Sequence, residues 1–268
     1  MFQEIDWSRA WYASVRDAAS RIDLSLPSVV APFCEQAAAL ALVNHSGQPL
    51  RFVPQAALPE GTAYEEFIGA TGQVPTRDNL HDFFNGLVWL TFPLVKRQLN
   101  ALQAAQIAQD GVGKSRGPAR DAATIYDENS ALLVVRDDAD GAALVDALRN
   151  HRWREAFVER AAQFGPQAQL WLFGHALMEK LVAPYKAITA HTRVVLAGGD
   201  YWSLDDSARR AWLDRTEAQR LAEEGLAKGG FTPLPVLGIP GWWPQQDEAF
   251  YEDETVFRAK RRPAHKEG

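Results

Sequence analysis

"TRDNLHDFFNGLVWLTFP", residues 76–93, sets Arg77, Asp78, Asn79, His81, Asp82 and Asn85 at the head of a bulky apolar run. Asp78 or Asn79 has a side-chain oxygen able to cap a first turn. The stretch therefore predicts a helix running through Trp89 until Pro93 breaks it. At helical period His81 and Asn85 fall on one face with Val88, Trp89 and Phe92. An apolar face is covered in a folded chain, so the polar pair is aimed inward or into a cleft. A second amphipathic helix, predicted over 94–109, carries Lys96, Asn100 and Gln103 as a polar stripe. A fold-back at Pro93 would bring the two stripes together.

Working outward, Trp7, Trp11, Val15 and Ile22 recur at helical spacing and predict a short helix over 6–22. Residues 34–43 read as a further helix or as a helix running into a strand. LVNHSGQPLRFVPQ reads as a hairpin turning at His-Ser-Gly, and 62–72 as a short helix ended by Gly72. AATIYDENSALLVV, 122–135, has apolar or β-branched arms around Asp-Glu-Asn-Ser and predicts a second hairpin. Helices are predicted over 141–163, 167–182 and 205–228, with a strand in HTRVVLAG. The tail from Phe231 is rich in Pro, Gly and aromatics and predicts irregular chain wrapped over a core. Helices outnumber strands, and neither repeat nor linker is visible. The predicted class is α+β: one mostly helical domain over 1–268, with a few short antiparallel strand pairs.

Composition sets the outer limits. Hydrophobic residues are 47% and charged residues 23%, the balance of a folded chain. The 28 basic and 34 acidic side chains leave a net charge of −6, which argues against broad nucleic-acid binding. A lone cysteine, Cys34, permits no internal disulfide and suits a reducing compartment. No apolar run approaches the ~18 residues of a membrane span, and MFQEIDWSRAWY lacks a secretory pattern. The expectation is a cytoplasmic protein with no membrane or nucleic-acid partner.

Three polar clusters compete for a functional reading. The first is the opening stretch. The second is RDAATIYDENS, where Asp127 and Glu128 offer hard-metal ligands or a general acid and base beside Arg120. The third is FGHALMEKLVAPY, whose His175 and Glu179 are one helical turn apart, a spacing that lets two side chains share one metal. Each also fits a structural role, because buried polar groups must be satisfied and Asp and Asn favour turns. GVGKS, 111–115, lacks the earlier Gly and the strand–loop–helix context of a phosphate-binding loop. An order of His45, His81–Asp82, then Asp121 or Asp127 has a weak likeness to helical phosphohydrolases, but His45 falls in a turn.

TRDNLHDFFNGLVWLTFPLVKRQLNALQ, RDAATIYDENSALL, GHALMEKLVAPY and LGIPGWW resemble a bacterial family of unknown function, the domain-of-unknown-function family numbered 3025. The resemblance spans roughly 50–260 and transfers no catalytic roles. It implies a cytoplasmic bacterial protein, met mainly in proteobacteria.

The reading preferred on sequence alone is a non-catalytic protein that binds a small ligand or a partner around this polar cluster. The alternative is a metal-dependent hydrolase acting on an anionic, phosphate-bearing or similar substrate. In it His81, Asp82, Asp127 and Glu128 would be catalytic, and His175 and Glu179 would hold a divalent ion. Arg77, Asn85, Lys96, Asn100 and Arg120 would bind substrate. The two readings diverge on geometry: the enzyme requires His81, residues 127–128 and His175 to meet where water can enter.

Overall fold

The chain's computed structural model describes residues 2–110 and 118–260, so the GVGKS segment at 111–115 lies outside the described residues. Residues before 30 supply 3₁₀ turns and a single α-turn, α1 (Arg16–Ala19), in place of the continuous helix expected over 6–22. Asp6 explains the break. Its carboxylate accepts from the backbone N–H and hydroxyl of Ser8, a local turn that competes with helix. Trp11, Val15 and Ile22 are nevertheless buried, as their spacing required.

Next come α2 (Val30–Ala39), strand β1 (Arg51–Pro54), α3 (Tyr64–Thr71) and β2 (Gln73–Thr76). Gly72 ends α3 with φ at +69°, a left-handed cap that glycine adopts without a Cβ clash. A small turn does close between Asn44 and Gln48, with Leu50 N–H donating to Leu42 O. The hairpin expected there stops at that turn, because β1 pairs in parallel with β2 beyond α3. Asn44 ties the two parts together: its amide donates to Ile68 O and Gly69 O, and its oxygen accepts from Ser46 and Gln48 N–H.

α4 (Leu80–Thr91) follows, capped by Asn79, and Pro93 opens α5 (Pro93–Asp110). Proline at a helix's first position loses no hydrogen bond, so it redirects the chain and starts the next helix. α6 (Pro118–Asn129) then runs straight into β3 (Ser130–Arg136). The hairpin predicted at 122–135 is therefore a helix–strand junction. Asp127 and Asn129 are held by distant lysines, Lys96 and Lys180, and not by a local turn.

The rest comprises α7 (Ala139–Arg149), β4 (Ala168–Leu172), α8 (His175–Lys180), β5 (Thr189–Ala197), α9 (Gly199–Trp202), α10 (Asp206–Glu224), β6 (Thr232–Pro235) and α11 (Glu248–Tyr251). The helix expected over 167–182 is thus a strand and a short helix. That expected over 141–163 ends at Arg149, with His151 at φ +55° and a single π-turn beyond. The four-stranded sheet runs β4-β3-β5-β6. Its outer pairs are antiparallel, but β3 and β5 are parallel, as are β1 and β2. The expectation of antiparallel pairs alone is corrected; the α+β class stands. Two prolines sit in β6 because it is an edge strand, where missing donors are tolerated.

β3 is buried along almost its whole length. Leu132 and Val134 face the larger core with Phe83, Leu87 and Leu177, while Leu133 and Val135 face Leu144 and Leu148 of α7. No helix among the described residues is long and apolar enough to cross a membrane.

Candidate functional site

The first turn of α4 is fixed by reciprocal bonds. Asn79 Oδ1 accepts from Asp82 N–H at 2.7 Å. Asp82 in turn accepts from Arg77 N–H at 2.7 Å and from its guanidinium at 2.9 and 3.1 Å. Both Asp82 oxygens are thereby occupied. Beside Asp82, His81 meets Glu179 and His175 of α8, and one turn on Asn85 meets Lys96 of α5 and Tyr64 of α3.

Three chain segments meet there. His175 Nε2 lies 3.1 Å from His81 Nε2 and 3.7 Å from Glu128 Oε2. One nitrogen from each histidine and one Glu128 oxygen fall within 4.8 Å of one another, the one metal-capable group among the described residues. Two ligand atoms on a tetrahedral zinc at ~2.0–2.1 Å stand about 3.3 Å apart, so the observed spacings bracket those of a shared ion.

Close approach by glycine permits this. Gly174 precedes α8, and a Cβ there would meet Ser130 N at 2.5 Å and Glu128 O at 2.6 Å. Its N–H donates to Ser130 O at 2.8 Å, locking α8 against the junction that carries Glu128.

Behind the trio lies a buried ion pair. Lys96 Nζ donates to Asp127 Oδ1 at 2.7 Å and to Asn85 Oδ1 at 2.9 Å, and stands over the Trp89 ring. Asn85 Nδ2 donates to the Tyr64 hydroxyl at 3.0 Å. Burial pushes the Asp127 carboxyl upward, but the Lys96 ammonium and the nearby histidines reverse that, leaving it below the usual carboxylate range. Burial raises Glu128, with Asp127 adding to it and His81 opposing. His175 is pushed down to about 4 by burial, the Asp127 charge opposing, so it is neutral at pH 7.

Tautomers follow from the partners. His81 Nδ1 is 3.0 Å from Glu179 Oε2, an acceptor, so it carries a proton, and in the neutral imidazole Nε2 is then bare. His175 Nε2 then donates to His81 Nε2, which strips the proton from His175 Nδ1. That nitrogen is buried without a hydrogen bond, and Asp127 Oδ2 stands 3.9 Å away. Were His81, Glu128 and His175 to hold a divalent cation, the His175 proton would move to Nδ1, toward the Asp127 carboxylate 3.9 Å away. Metal-ligating histidines are generally supported in this way, by an acceptor on the far nitrogen.

The trio forms part of the wall of a cavity of about 520 Å³. His81, Asp82, Asn85, Asp127, Glu128 and His175 all reach it, as do Arg77 and Arg120. Lys96 and Asn100 are 2% and 1% exposed and stand behind the wall. The helical pair His175 and Glu179 does not share one point. Glu179 sits at the solvent side of a six-residue helix and bonds the outer nitrogen of His81. His45 is elsewhere, its Nδ1 2.8 Å from Asn100 Oδ1.

Two cavity residues carried no signal in the sequence. Tyr64 and Glu65 open α3, and only the packing of α3 on α5 brings them to the site. Asn100 Nδ2 donates to Glu65 Oε2 at 2.7 Å. Burial raises the Glu65 carboxyl, and Lys96 opposes it. The arrangement offers two imidazoles and a carboxylate to a divalent ion, plus a separate buried carboxyl at Glu65.

No curated protein and no solved structure matches the chain. The model of the family described as "Protein of unknown function (DUF3025)" matches residues 50–261, which hold every member of the cluster, and the chain belongs to that family.

Proposed function

We propose that the protein is a metal-dependent hydrolase acting on an anionic small molecule. The observation that carries this reading is the convergence of His81, Glu128 and His175 within 4.8 Å at the wall of a 520 Å³ cavity. Two histidines and a carboxylate, open on one side to a cavity, make the ligand set of catalytic and not of structural zinc sites.

His81, Glu128 and His175 would hold the divalent ion, which when bound would supply a water of lowered pKa and a Lewis acid for the substrate oxygen. The residues around it have separable tasks. Glu179 holds His81 by its far nitrogen, and the Asp127 charge stands 3.9 Å from the far nitrogen of His175. Lys96 keeps Asp127 ionised. Glu65, on the same cavity wall, would carry the proton that the attacking water loses and the leaving group gains.

Metal titration of stripped protein tests the reading. One equivalent of zinc, manganese or cobalt should bind per chain and raise Tm, because a ligand of the native state alone stabilises it. His81→Ala and His175→Ala should each abolish that shift. If none of the three metals binds, the proposal is wrong.

A further inference from the structure

Three cations stand around the cavity region, and two of them are spent. The Arg77 guanidinium is bound to Asp82, and Lys96 is buried against Asp127 and Asn85. Arg120 is half-buried on the cavity wall, and among the described residues its guanidinium has no ion pair or hydrogen bond. Its backbone carbonyl is used by Thr124, but its five N–H donors are not. A half-buried guanidinium without a counter-ion is costly in an interior and useful in a binding site.

Its position along α6 fixes a length. Arg120, Thr124, Asp127 and Glu128 recur at four, three and one residues, so one stripe of the helix lines the cavity from end to end. Eight residues at 1.5 Å separate Arg120 from Glu128 by about 12 Å along the axis. Gln103 and Ile107 of α5 and Leu58 line the same cavity, so it offers apolar surface as well as the guanidinium.

We infer that the substrate is an elongated molecule with a terminal carboxylate on Arg120, about two helical turns from the group that reacts at His81, Glu128 and His175. One free guanidinium balances one negative charge, which suits a carboxylate better than a doubly charged phosphate ester. Glu65 and Glu128 on the same wall make excess negative charge unwelcome. This inference rests on the metal-hydrolase reading, and its test separates the two.

Zinc uptake is measured first, in the wild type and in Arg120→Ala, and should be equal. The zinc-loaded proteins are then titrated with three probes. Decanedioate spans roughly 11 Å between its carboxyl carbons when extended and can bridge the ion and Arg120. Decanoate has the length but one charge, and succinate has two charges but not the length. Arg120→Ala should weaken decanedioate at least tenfold, the scale of a lost charge-assisted hydrogen bond, and change decanoate and succinate less than twofold. Zinc uptake with no selective loss for decanedioate overturns the carboxylate assignment and leaves the metal site standing. Failure of the wild type to take up zinc overturns both.

Discussion

His175 Nε2 sits 3.1 Å from His81 Nε2, two nitrogens that cannot both be bare and cannot both carry a proton without strain. Because Glu179 claims the proton of His81 at Nδ1, the metal-free protein should hold His175 as the Nε2–H tautomer. Zinc should convert it to Nδ1–H. Long-range ¹⁵N–¹H correlation of labelled histidine distinguishes the forms directly. A tautomer that does not change on zinc addition would mean that His175 is not a ligand.

Lys96 and Asp127 form the buried pair on which the site rests. Lys96→Met leaves the Asp127 carboxylate without its counter-ion and should cost about 3–5 kcal/mol of stability in urea titrations. The double variant with Asp127→Asn removes both charges and should cost less than Lys96→Met alone. Equal or additive losses would show that the two side chains do not depend on each other.

Gly174→Ala tests the junction that sets His175 against Glu128. The added Cβ meets backbone atoms at 2.5 and 2.6 Å, and backbone cannot swing aside as a long side chain does. A stability loss of about 2–4 kcal/mol is expected, with a weakened zinc response. A variant as stable as the wild type that binds zinc normally would remove Gly174 from the positioning argument.

What the sequence disclosed follows from how local each signal is. The α4 cap at Asn79 and the inward face of His81 and Asn85 depend on neighbours within one turn, and they appear as read. His81, residues 127–128 and His175 meet at the cavity wall, although nothing local in the sequence requires them to. Strand β4 was hidden because AQLWL carries no turn signal of its own and becomes a strand only by pairing with β3. Asp127, Glu128 and Asn129 looked like a turn, since those residue types favour turns locally. Lys96 and Lys180, remote in the chain, decide otherwise. Glu65 could not be found at all, because its burial and its bond to Asn100 are products of helix packing.

Asp214 gives the last prediction, away from the cavity. On α10, its carboxylate accepts from Leu94 N–H at 3.1 Å and Val95 N–H at 2.9 Å, capping the first turn of α5 from outside. Burial pushes its pKa up to about 6, against the opposing pull of the two N–H donors and of Arg215 and Arg97. A carboxyl with a folded pKa above its unfolded value near 3.8 takes up a proton on folding. Its stabilising contribution is therefore full below the unfolded pKa and is lost as pH rises through 6. The swing is about 3 kcal/mol at 1.36 kcal/mol per pKa unit. Asp214→Asn keeps an oxygen that can accept from the helix N–H groups and cannot titrate. The wild type should therefore lose stability relative to that variant between pH 4 and 8, with the steepest change near pH 5, midway between the unfolded and folded pKa values. Urea midpoints for both proteins across that range measure it. A constant difference would show that the N–H donors of α5 and the flanking arginines outweigh burial, and that Asp214 is already ionised at the acid end.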